Sequence, residues 1–118
     1  MNYINEDHER NFYKLLSEDK TNINDTERKS LLYILAGNRD LYQKRKQIYD
    51  SNNHCIVISL KTNKTKIDLS SGAKALVILG FNLFNSMNEN ECSISDIFKT
   101  LDEKNRIIAL NAIRIRFM

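Results

Sequence analysis

Along the first third of the chain, apolar side chains recur at helical spacing. His8, Phe12, Leu15 and Leu16 stand at i, i+4, i+7 and i+8, which places them on one face and predicts a helix over 6–18. Asn5 is its natural N-cap, and Glu6 and Asp7 fall in the first turn, where the helix dipole favours anions. A second helix is predicted over 25–36, with Leu31, Ile34 and Leu35 as its core stripe and Leu32 and Tyr33 beside it. Asn24 and Glu27 have capping-box spacing, and Gly37 stands where a left-handed residue ends a helix. A third helix, 40–50, is capped by Asn38 or Asp40. Leu41 and Ile48, seven apart, share a face, and Tyr42 and Tyr49 share the next. Its few apolar positions put it on the outside.

The period then changes. His54 to Leu60 is rich in β-branched residues, and Thr65 to Leu69 alternates. Two such runs around the polar Lys61-Thr62-Asn63-Lys64 predict a β-hairpin over about 55–69. Ser70 or Ser71 caps the next helix, 72–87, which carries apolar residues on almost every side. A helix of that kind is buried, so it is expected to be the central element. Gly80 within it implies the close approach of another helix. Ser93 and Asp96 open a short helix, 94–101, with Ile94, Ile97, Phe98 and Leu101. Asp102 caps the last helix, 103–115, whose Ile107, Ile108, Leu110 and Ile113 are expected to bury it. Residues 113–117 alternate like a strand, but Ala109, Leu110 and Ala112 before them argue that the helix continues.

The expected fold is therefore mainly α: five or six helices around the 72–87 helix, with one small hairpin, in a single domain spanning 1–118. Composition agrees. The 118 residues include no proline and only three glycines, which disfavours a turn-rich β fold. Mean hydropathy is −0.48 and no apolar run is long enough to span a bilayer, so no membrane association is expected. The first ten residues lack the basic start and apolar stretch of a secretory signal. Cys55 and Cys92, in separate segments, are then expected to be free thiols.

Net charge is +3, too mild for a dedicated nucleic-acid binder and of the wrong sign for a nucleic-acid mimic. Three glycines in three segments cannot form a phosphate loop, and there is no nucleophile elbow. His8 and His54, forty-six residues apart, exclude a two-histidine zinc helix. His8, on an apolar face, reads as a structural histidine. His54 and Cys55 are strand neighbours with side chains on opposite sides, a poor geometry for a catalytic pair. Acid pairs such as Asp102-Glu103 sit at helix starts, where capping explains them. The expectation is no catalytic residues, no metal and no cofactor.

One surface cluster carries a candidate role. Lys44, Arg45 and Lys46 lie between Tyr42 and Tyr49 on the 40–50 helix. Arg45 is three residues after Tyr42 and four before Tyr49, so a continuous helix would align the three in one stripe. Such a stripe anchors a protein partner or stacks on bases, and the same pattern also describes a solvated face. Arg114 and Arg116 form a second, weaker cluster. Salt dependence separates nucleic-acid binding, which weakens steeply, from protein binding, which does not.

Three stretches carry a resemblance: Ala36 to Tyr42 running on to Ile48-Tyr49-Asp50, Ser70 to Leu83, and Leu101 to Asn105 with Ala109 to Phe117. Together they resemble a family of short proteins of unknown function from Firmicutes and their phages, over nearly the whole chain. The resemblance brings no catalytic residues. It implies a cytoplasmic protein of a phage or mobile element, and a host protein as partner, with anti-defence (anti-CRISPR-like) inhibition among the roles such proteins fill. The alternative is a small nucleic-acid-binding regulator using the 40–50 helix.

Overall fold

The computed structural model describes residues 2–58, 67–88 and 91–118. Among these, seven helices and one two-stranded antiparallel sheet occur in the order α1 (Glu6–Asp19), α2 (Thr26–Gly37), α3 (Arg39–Gln43), α4 (Arg45–Ile48), β1 (Tyr49–Asp50), β2 (Cys55–Ile56), α5 (Ser71–Asn85), α6 (Ile94–Thr100) and α7 (Glu103–Phe117). The mainly helical expectation holds. Caps delimit the helices. The side chains of Asn5, Ser70 and Asp102 each accept the expected backbone N–H, and Ser93 with Asp96 forms a full capping box. At α2 the cap is Asp25, which accepts from the Arg28 N–H, and not Asn24.

The element at the centre is α2. Residues Ser30 to Ala36 are all buried, because α1, α5 and α7 pack around this helix. α5 is buried as expected, through Ala73, Leu76, Val77, Leu79, Phe81 and Leu83, but it is one wall of the bundle and its Lys74 and Asn82 reach solvent. Gly80 marks its contact with α2: a Cβ there would stand 3.0 Å from Leu31 Cδ1.

Local expectations are corrected in several places. The segment 40–50 is not one helix. Its backbone opens at Lys44 (φ −103°, ψ 12°), α4 lasts four residues, and Tyr49–Asp50 is extended. Leu41 and Ile48 are still both fully buried. The change of backbone sends Tyr49 inward and Asp50 outward, as successive strand residues must point. One small antiparallel hairpin is present as expected, and among the described residues its ladder lies upstream of 55–69. Tyr49 pairs with Ile56 and Asp50 with Cys55, and the Val57 N–H extends the ladder to the Ile48 carbonyl at 2.9 Å. The turn is held by Asp50, whose carboxylate accepts from the backbone N–H groups of Asn52 and Asn53 and from the Asn53 amide. Residues 67–69 are irregular, and 59–66, where the rest of the expected hairpin fell, lie outside the described residues. α7 continues as a helix through Phe117, as expected. Its burial differs: Ile108, Ala109 and Ala112 face the core, whereas Ile107 and Leu110 are 46% and 53% exposed.

Gly37 does not adopt a left-handed conformation; it is the last residue of α2, and no described glycine has positive φ. Its role is space. A Cβ at Gly37 would lie 3.0 Å from both Cε1 and Nε2 of His8 and 3.1 Å from Ile108 Cδ1. His8 cannot retreat. Its Nε2–H donates to the Tyr33 carbonyl at 3.0 Å, and its Nδ1 accepts from the Ile4 N–H at 3.2 Å. This pair of bonds defines a neutral tautomer. Burial pushes the pKa of His8 below its ordinary 6.5, against the opposing pull of the Tyr33 carbonyl.

Two outcomes are expected. Gly37→Ala gains about 1 kcal/mol of helix propensity but overpacks against a fixed imidazole, where the loss is about 1–3 kcal/mol. The variant should therefore unfold at lower denaturant than the wild type, and a stabilised variant would show that His8 can move. The second concerns pH. Folded His8 binds its proton less readily than unfolded His8, so below an ordinary pKa of 6.5 the unfolded chain holds the extra proton. Its contribution is complete above about pH 6.5 and is lost as the pH falls through 6.5 towards the lower folded value. Asp50 and Asp96, held below the ordinary 3.8 by hydrogen bonds, titrate beneath this window. Denaturation midpoints measured from about pH 7.5 down to 5.5 should fall more for the wild type than for His8→Gln.

Candidate functional site

Tyr42 and Arg45 do meet. The Arg45 guanidinium carbon lies 4.2 Å from the centroid of the Tyr42 ring, and its Nη1–H donates to the Tyr42 carbonyl at 2.9 Å. Tyr49 is not part of this pair. It is 4% exposed, packs edge-on to Phe84, and turns its hydroxyl inward. The expected tyrosine–arginine–tyrosine stripe therefore does not exist, because a strand and not a helix carries Tyr49. Lys44 is engaged by the Asp40 carboxylate at 3.0 Å and donates to the Asp68 carbonyl, leaving Lys46 exposed. Arg116 is half-buried, donating from Nε to the Leu83 carbonyl at 2.9 Å and approaching Glu27 at 3.9 Å, so it ties α7 to α5 and α2. Arg114 is exposed on the outer side of α7.

Beside Arg45 lies a cleft of about 590 Å³. Leu15, Leu32 and Leu35 line it with apolar surface, Arg45 and Lys46 bring cations, and Glu18 and Asp50 bring acids, with Tyr49 and Val57 completing the wall. That volume lies within the roughly 300–1,000 Å³ of ordinary ligand sites. The Nε of Arg45 is buried and has no hydrogen-bond partner among the described residues. A guanidinium held by its own turn on the wall of a cleft is a cation that suits a carboxylate.

Behind the cleft lies a group that the sequence reading missed. Asp19, the last residue of α1, is buried with its side chain wholly covered. Oδ1 accepts from the Tyr49 hydroxyl at 3.0 Å and from His54 Nδ1–H at 3.1 Å. Oδ2 accepts from the Thr21 hydroxyl at 2.5 Å, and the Arg28 guanidinium stands 3.8 Å away. Burial first, and then the Asp19 charge, pushes the Tyr49 phenol above its ordinary pKa. The clue was present: the buried stripe His8, Phe12, Leu15 continues by four to Asp19. His54 holds its place in a left-handed conformation, φ 53°. Its ring borders a depression with Asn24, Asp25, Thr26, Glu27 and Arg28. Chemically the arrangement is a carboxylate that orients an imidazole; structurally it is a knot joining α1, α2 and the hairpin.

Cys55 is exposed and Cys92 is half-buried, and no disulfide joins the two. No described helix is long and apolar enough to cross a membrane, and no group of three metal-ligating side chains occurs among the described residues.

A family model, that of DUF6075, a family of unknown function, matches residues 1–118, and the chain belongs to this family. No curated protein and no solved structure matches it.

Tyr49→Phe removes one of the donors to a buried carboxylate while keeping the ring. It should lower stability by about 1–3 kcal/mol in equilibrium unfolding. A loss below about 0.5 kcal/mol, typical of a surface change, would mean that the other donors satisfy Asp19 unaided.

Proposed function

We propose that this chain is a non-enzymatic interaction protein of phage or mobile-element origin. It acts in the cytoplasm by binding and modulating a protein of its bacterial host, with inhibition of a defence system among the roles this allows. The origin and setting rest on the resemblance of the three sequence stretches to Firmicutes and phage proteins. The binding site is the cleft between α1, α2 and the hairpin. Its occupant is a segment of the host protein that presents an apolar side chain to Leu15, Leu32 and Leu35 and a carboxylate to Arg45.

The observation that carries this reading is the Arg45 cation on the wall of that cleft, beside the apolar Leu15, Leu32 and Leu35. A carboxylate brought to this guanidinium by a partner makes a charge-assisted hydrogen bond, stronger than a neutral one. The geometry favours a protein over a nucleic acid. Tyr49 is unavailable for stacking and Lys44 is engaged within the chain, so little of the basic–aromatic stripe is left for bases and phosphates.

The test uses the full chain as bait in host lysate, with and without nuclease, beside Arg45→Glu and Lys46→Glu. Both variants are checked first for an unchanged melting temperature. The expected result is a host protein that survives nuclease treatment and is lost or weakened at least about tenfold with Arg45→Glu, roughly 1.4 kcal/mol. Capture by Arg45→Glu equal to wild type would remove the cleft from the proposal. Capture that disappears with nuclease would favour the nucleic-acid regulator instead.

A further inference from the structure

We infer that the outer face of α7 pairs with the same face of a second copy of this chain, antiparallel, across a two-fold axis. This surface shares no residue with the cleft around Arg45. At 100° per residue, Glu103, Ile107, Leu110, Arg114 and Phe117 fall within about 80° of arc, so they form one stripe along the helix. The three apolar members are unusually open for their size: Ile107 is 46% exposed, Leu110 53% and Phe117 67%. Neither Glu103 nor Arg114 has an ion-pair partner among the described residues.

What selects a second copy over another occupant is the order of residues in the stripe. It reads acid, apolar, apolar, base. Laid antiparallel on itself, with the axis between Ile107 and Leu110, the stripe sets Glu103 opposite Arg114 of the second copy and Ile107 opposite its Leu110. Both relations then repeat on the other side of the axis, as an isologous contact requires. Shifting the register by a turn breaks both ion pairs.

The same register places Phe117 just ahead of residue 103 on the second copy. There the surface carries a depression of about 550 Å³ lined by Tyr3, Ile4, Asp102, Glu103, Lys104 and Ile107. A large exposed ring at one end of α7 and a hollow lined in part by Tyr3, Ile4 and Ile107 at the other are the two halves of one contact. Two-fold symmetry makes that contact twice. Two helices of about 22 Å bury little by themselves, and the two phenylalanine insertions widen the interface towards what a specific dimer needs.

The experiment is sedimentation velocity on the full chain over a concentration series, with melting temperatures confirming that each variant is folded. Wild type should dimerise. Glu103→Arg and Arg114→Glu each set like charges opposite one another at both ends, and each alone should self-associate about tenfold more weakly. Mixed in equal amounts, the two variants restore opposite charges at both ends and should form a heterodimer as tight as the wild-type dimer. Leu110→Gln should dissociate the dimer without regard to salt, whereas the charge effects should shrink at high salt. A wild type that stays monomeric throughout would overturn the inference. So would single variants that self-associate as tightly as wild type, or a mixture that fails to associate better than its components.

Discussion

A carboxylate without water must be given donors, and in this protein that requirement decides where the hairpin goes. Asp19 sits at the end of α1 with its side chain fully covered. Leaving an isolated charge there would cost far more than the marginal stability of a small domain. The donors come from three places: Thr21 just past α1, Tyr49 on β1 and His54 in the hairpin turn, with Arg28 of α2 supplying opposite charge nearby. A two-residue ladder is too short to persist alone. Tied to Asp19 through both Tyr49 and His54, it becomes the wall of the cleft that holds Arg45.

The helices answer to a different constraint, close approach. α2 is covered by α1, α5 and α7, and such crowding works only where side chains are small or interlocked. Gly37 admits the His8 ring and Ile108, and Gly80 admits Leu31. Ala109 and Ala112 let the inner side of α7 lie down on the core. His8 links the two constraints. It is an imidazole in an apolar position, tolerated because both nitrogens are bonded to backbone.

The helices were legible because their signals are local. Apolar spacing and a capping side chain lie within a few residues of each other, and the caps of α1, α5, α6 and α7 were placed from them. The break at Lys44 was not legible. Leu41 and Ile48 keep the seven-residue spacing of a continuous helix in either conformation, so periodicity does not distinguish the two. What decides is a hydrogen bond from Tyr49 to Asp19, thirty residues away. The candidate site suffered accordingly: Tyr42 and Arg45 pair as neighbours on one turn should, while Tyr49 left the stripe for a partner that no local pattern names.

α7 shows where burial and pattern part company. Ile107, Ile108, Leu110 and Ile113 are all expected to bury this helix, but at 100° per residue Ile108 and Leu110 stand about 160° apart. One side of a helix cannot bury both. The fold takes Ile108, Ala109 and Ala112, which are small enough or placed well enough to meet α2. Ile107, Leu110 and Phe117 are left in water, each forgoing a large part of the roughly 1.5–3 kcal/mol that full burial of such a side chain yields. Scattered apolar residues on a surface need no explanation, but a stripe along one helix face does. Polar residues at these three positions would leave the core of this chain unchanged. The stripe is therefore explained by a contact outside the chain, and its acid-to-base order supplies the complement.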